Sequence, residues 1–202
     1  MKYIISSETG WIKDKLITEE IDLLWNYIFD ANVNDNFNLV SQIKEDLNLK
    51  DIKNNFFSRT IIQYCSAHSF KFGYPGGKKR NSRNHRFCLE SFWVNRMKDN
   101  VLNPFHNNFG VYSFVIWLDK PTNHYEDYST TEENYFISES NFEFMFENML
   151  GKKIKYKLQL NKESNGTIIF FPSKSMHGTY QFNNYHNEGI FISGNIEIKP
   201  VL

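Results

Sequence analysis

The sequence predicts a mostly β fold, an antiparallel sandwich or jelly roll with helices gathered at its N-terminal end. Three observations predict it. The hydrophobic period is helical over the first third of the chain and falls to two after residue 85. The strand-like segments that follow succeed one another with no βαβ alternation. The 202 residues carry 19 Phe, 11 Tyr and 4 Trp, ample apolar material for one sizeable core.

In chain order, Thr18 is placed to cap a helix whose stripe is Ile21, Leu24, Trp25 and Ile28, spaced i, i+3, i+4, i+7. Val40, Ile43 and Leu47 repeat the pattern more weakly. Phe57, Ile61, Tyr64 and His68 form a third stripe, which Gly73-Tyr74-Pro75-Gly76-Gly77 stops. Phe87 to Asn95 and Val111 to Leu118 then read as strands. Phe142, Phe144 and Phe146 alternate, as do Ile154, Tyr156, Leu158 and Leu160; Thr167 to Phe171 and Gly189 to Ile198 complete the series. Residues 121–140 read as a long polar loop, the kind that serves as a lid or mobile segment. With no repeat or linker, the expectation is a single domain, 1–202, largely helical over 1–85 and β over 86–202.

Composition excludes several classes. Lys plus Arg and Asp plus Glu both number 23, so the formal net charge is zero, and disordered chains are neither so balanced nor so aromatic. The longest apolar run, Val111 to Leu118, is far short of the ~20 residues of a membrane helix. The N-terminus lacks the apolar core of a signal peptide, and Cys65 and Cys88 make no disulfide framework. These features lead us to expect a cytoplasmic domain with no membrane contact. No Walker A loop, Gly-x-Ser-x-Gly elbow or Gly-x-Gly-x-x-Gly turn is present.

Of six histidines, two stand out by context. His106 lies in Asn103-Pro104-Phe105-His106-Asn107-Asn108-Phe109-Gly110, just before the most apolar strand. Residues i and i+2 of an extended segment point the same way, so His106 and Asn108 can converge. His177 follows the apolar Phe170-Phe171-Pro172. In a jelly roll, strand ends distant in sequence meet at one mouth, and two imidazoles plus an oxygen donor suit non-haem Fe(II). The alternative is structural: His106 bonding within a turn and His177 capping a strand.

At these residues the sequence resembles the 2-oxoglutarate and Fe(II)-dependent oxygenases of the prolyl-hydroxylase type, in particular a group abundant in marine phages. The matching stretches run in order: Phe92-Trp93-Val94-Asn95, Asn103 to Gly110, Tyr112 to Leu118 ending at Pro121, Gly166 to Ser173, His177, and Ile192-Ser193-Gly194-Asn195-Ile196. The resemblance implies a double-stranded β-helix with iron at its mouth. It implies His106 as proximal and His177 as distal ligand, with Asn108 where the family carries Asp or His. It also implies cosubstrate contacts at Asn95, Ser113, Ser193 and Asn195. The family's 2-oxoglutarate arginine falls on Gly189 and its polar neighbour on Phe191. An Asn carbonyl brings one less negative charge to the metal than Asp, and Gly189 offers no guanidinium. Substitute cations are His186, Lys174 and Arg96; Glu126 is a substitute carboxylate.

Two charged blocks flank the His106 motif. The basic loop holds Lys78, Lys79, Arg80, Arg83 and Arg86 and could hold an anionic partner, or be a solvated loop. Between Pro121 and Lys152 there are acids and no Lys or Arg. The sequence therefore supports two functions. One is an Fe(II)/2-oxoglutarate oxygenase with an unknown substrate. The other is a degenerate β-helix binding or regulatory module that no longer uses 2-oxoglutarate.

Overall fold

The computed structural model of the chain describes residues 3–6, 10–33, 47–74, 85–97, 103–119, 141–159, 162–180 and 189–201. Its elements in order are β1 (Ile4–Ile5), β2 (Ile12–Lys15), α1 (Thr18–Val33), β3 (Leu47–Asn48), a π-turn (Phe57–Ile61) running into α2 (Ile62–Phe72), β4 (His85–Met97), β5 (Asn103–His106), β6 (Tyr112–Asp119), β7 (Asn141–Glu147), β8 (Lys153–Gln159), β9 (Thr167–Pro172), β10 (Met176–Tyr180) and β11 (Gly189–Pro200).

The strands form two sheets. The larger has seven strands in the order β1-β2-β9-β6-β11-β4-β3, and the smaller four in the order β5-β10-β7-β8. From β4 onward the chain steps between them: β4, β6, β9 and β11 lie in the large sheet, and β5, β7, β8 and β10 in the small one. All neighbours are antiparallel. This interleaving is the double-stranded β-helix.

Alternation along β6 divides the core in two. Tyr112, Phe114, Ile116 and Leu118 pack with Leu24, Ile28, Phe56, Ile61 and Tyr64, under the helices. Val115 and Trp117 point the other way, into the space between the sheets, with Phe142, Phe144, Leu158, Ile169, Phe171 and Phe191. Asp51 ties the helices together, accepting from Tyr27 Oη and the Phe56 amide, each at 2.9 Å, and from the Phe57 amide at 2.8 Å.

Several expectations need correction. Thr18 opens α1 instead of capping it; the Glu20 carboxylate turns back to accept the Ile17 amide at 3.0 Å, which satisfies one of the helix's free N–H groups. Leu47, read as the end of a helical stripe, is in β3 and pairs with Val94. The N-terminal part also adds β1, β2 and β3 to the large sheet, none of them anticipated as strands. Residues 121–140 lie outside the described residues. Cys65 is buried as a small hydrophobe, whereas Cys88 is only half-buried. Among the described residues no helix is long and apolar enough to cross a membrane.

Candidate metal centre

Antiparallel pairing of β5 with β10 places His106 directly opposite His177, 71 residues later in the chain. The ring centroids are 4.4 Å apart. Each ring is pinned in the same manner. His106 Nδ1 lies 2.8 Å from the Pro104 carbonyl, and His177 Nδ1 lies 2.9 Å from the Ser175 carbonyl. A carbonyl only accepts, so each Nδ1 carries a proton, and in the neutral ring Nε2 then keeps its lone pair. Neither Nε2 makes a hydrogen bond among the described residues. That is how metal-binding imidazoles are held, the outer nitrogen fixing tautomer and ring direction.

His177 is 3% exposed and walled by Phe171, at 4.6 Å, and Phe142, at 5.7 Å. Burial pushes its pKa down to about 4, against the Ser175 bond and helped by neighbouring His106. At neutral pH it is an uncharged donor.

Asn108 sits in the turn after β5, tied by its amide to the Ser173 carbonyl at 2.8 Å. Its side-chain Nδ2 donates to Ser113 Oγ at 3.1 Å, and its Oδ1 makes no hydrogen bond among the described residues. The turn depends on Gly110, whose φ of +85° is left-handed; a Cβ there would lie 2.5 Å from the Ile196 carbonyl oxygen. The candidate donors are thus two imidazole nitrogens and one amide oxygen, with no carboxylate among them. Among the described residues no three His, Cys, Asp or Glu side chains gather as a metal cluster. Two fixed imidazoles suit a divalent transition metal, and Asn108 Oδ1, with no hydrogen bond among the described residues, is left as a candidate weaker third donor.

The residues singled out for cosubstrate contacts form two polar groups on the inner face. Ser113 Oγ donates to Asn195 Oδ1 at 2.8 Å, and Asn195 Nδ2 donates to Ser91 Oγ at 3.0 Å. Further along, Asn95 Nδ2 donates to Ser193 Oγ at 3.0 Å and Asn95 Oδ1 accepts from Trp93 Nε1 at 3.1 Å. Sequence reasoning missed Ser91 as a site residue and the role of Ser173, which is 0% exposed and lies 2.8 Å from Ser113 Oγ. The period of two in Ile169, Phe171, Ser173 was the available signal.

2-Oxoglutarate fits less well. Gly189 has no side chain, and Phe191 pairs in register with Trp117, both buried in the apolar cluster between the sheets. A carboxylate placed there would meet rings in place of a guanidinium. Of the substitute cations, Lys174 lies at the opposite end of β6, where its Nζ donates to the Asn108 carbonyl at 3.1 Å. The Arg96 backbone pairs with Ile190, one residue away from the Asn95–Phe191 pair; its side chain, with His186 and Glu126, lies outside the described residues. Lys78, Lys79, Arg80 and Arg83 lie outside them too, while Arg86 is exposed on β4.

No protein-family model matches the sequence, and no curated relative matches it. Solved structures do resemble it. A prolyl-4-hydroxylase from Pseudomonas putida superimposes with a TM-score of 0.53 at 9% identity, covering 93% of this chain and 92% of that one. A non-haem α-ketoglutarate-dependent carbocyclase of nogalamycin biosynthesis gives 0.56 at 7% identity, covering 93% and 79%. The viral collagen prolyl hydroxylase of Paramecium bursaria Chlorella virus-1 gives 0.50 at 14% identity, covering 100% of both. At such identities the likeness carries architecture alone, and the chain has the double-stranded β-helix fold of the 2-oxoglutarate and Fe(II) oxygenases.

Proposed function

We propose that this chain is a non-haem metal oxygenase whose Fe(II) is held by His106, His177 and the Asn108 carbonyl. One observation carries the reading: two register-paired imidazoles, each with Nδ1–H tied to a carbonyl and Nε2 free. Bound Fe(II) would supply open coordination positions for O₂, with a two-electron reducing co-substrate required for any oxidation of a substrate C–H bond. The chain's own part is to orient the imidazoles, keep His177 uncharged, and wall it from water with Phe142 and Phe171.

The usual 2-oxoglutarate anchor is missing, and no step is assigned to that cosubstrate. A second reading rests on the same pair, Gly189 and Phe191: a binding module that kept the scaffold, with Lys78, Lys79, Arg80 and Arg83 contacting an anionic partner. Anaerobic Fe(II) titration of the full chain, followed by admission of O₂ with and without 2-oxoglutarate, separates the two. The oxygenase reading expects one tightly held ion, lost in His106→Ala and His177→Ala, and metal-dependent O₂ uptake. Equal metal uptake by the chain and both variants would sink it.

A further inference from the structure

An asparagine is an ambiguous metal ligand. Turned one way its amide presents a lone-pair oxygen; turned the other it presents an NH₂ that has nothing to donate to a cation. Bonds around Ser113 remove the ambiguity. A serine hydroxyl has one proton and two acceptor lone pairs. The Ser113 proton goes to Asn195 Oδ1 at 2.8 Å, and Asn195 Nδ2 donates in turn to Ser91 Oγ at 3.0 Å. The Ser173 hydroxyl, 2.8 Å away, then donates to one lone pair of Ser113. What remains on Ser113 is an acceptor, and Asn108 meets it with Nδ2 at 3.1 Å. Oδ1 is therefore turned away from the serine.

Ser113 and Ser173 are both 0% exposed, so no water competes for these bonds. The Asn108 peptide is fixed as well, its N–H bonded to Ser173 O and its carbonyl to Lys174 Nζ. With the backbone held, only rotation of the amide stays free, and Ser113 decides it.

We propose that Ser113, its proton held by Asn195, is a positioning residue that turns the Asn108 carbonyl oxygen toward a metal bound by His106 and His177. The proposal rests on the metal-centre reading above. It has a consequence that a merely structural serine would lack. With aspartate at 108 either carboxylate oxygen can ligate, so orientation no longer matters.

The test is Co(II) titration of the full chain, read by visible absorption, with a thermal melt of each apoprotein to check folding. Ser113→Ala should weaken Co(II) binding about tenfold to a hundredfold, the usual range for a residue that orients a metal ligand. The same change made in an Asn108→Asp background should have little effect, and Ser173→Ala, which spares the Asn108–Ser113 bond, should also have little. Should Ser113→Ala fail to fold, Asn195→Ala frees the serine proton to bond a flipped Asn108 and should weaken Co(II) with the hydroxyl intact. Equal losses with Asn and Asp at 108, or no loss at all, overturn the Ser113 proposal alone. Binding by the unsubstituted chain no tighter than by the His106→Ala/His177→Ala double variant overturns it together with the metal centre.

Discussion

Two buried histidines, His68 and His177, are read from similar surroundings yet serve differently. His177 has one nitrogen bonded and the other free toward the site. His68 is 6% exposed and packed by Phe72, Tyr112 and Phe170, and among the described residues neither ring nitrogen makes a hydrogen bond of good geometry, although the Gly10 backbone lies close enough to oppose the effect of burial. Burial lowers the pKa of both. Between the folded-state value and the unfolded value of about 6.5, the unfolded chain binds more protons, so apoprotein stability rises with pH across that window. It is complete above the window and lost as pH falls through it. For His177, with a folded value of about 4, the loss approaches about 3 kcal/mol. His68→Leu should flatten the acid limb and raise the urea midpoint more in mildly acidic than in neutral buffer; an unchanged slope would refute this role for His68. The stripe Phe57, Ile61, Tyr64, His68 made burial of His68 legible in sequence, but the aromatic packing of its ring was not, since Tyr112 and Phe170 come from β6 and β9. The Ser113–Asn195 bond was hidden for the same reason: it needs the β6–β11 register, in which these two residues are paired.

Among the elements, β7 and β8 show how the charge balance is made. The acids before Lys152 had no basic neighbours in sequence, yet the hairpin register sets Glu143 opposite Lys157 and Glu147 opposite Lys153. Glu143 is 2% exposed, with Lys157 at 3.4 Å and Lys155 at 3.5 Å. The lysines are exposed, so either one alone is worth little, below about 1 kcal/mol. Removing both strands a buried carboxylate, at about 3 kcal/mol. The Lys155→Ala/Lys157→Ala double variant should therefore lose more urea stability than its single variants combined, and Glu143→Gln should restore most of it. Strict additivity would refute the shared role. Alternation in Phe142, Phe144 and Phe146 gave away β7 itself; β5 escaped because Pro104 breaks the strand signal in a four-residue segment.

At the scale of the molecule, the jelly roll was legible because period-two segments outnumber helical ones, while the crossings that bring β5 to β10 are properties of the closed structure. If His106 and His177 hold a metal as proposed, that closure makes metal binding and folding one equilibrium. The two imidazoles face each other only when β5 pairs with β10 in the small sheet, so an unfolded chain has no comparable site. A ligand at a hundredfold excess over its Kd, bound by the folded state alone, adds about 2.7 kcal/mol. In a domain of this length each kcal/mol moves Tm by about 2–4 °C, so saturating Co(II) should raise Tm by roughly 5–10 °C. Because a metal binds only deprotonated imidazole, the gain should shrink as the buffer is acidified and protons compete with the metal for the imidazole nitrogens. His106→Ala should abolish the Tm shift while leaving the apoprotein melt near that of the unsubstituted chain, since His106 is only half-buried at the end of a short strand. A Tm gain that survives in His106→Ala would place the bound ion elsewhere and separate metal binding from the paired strands.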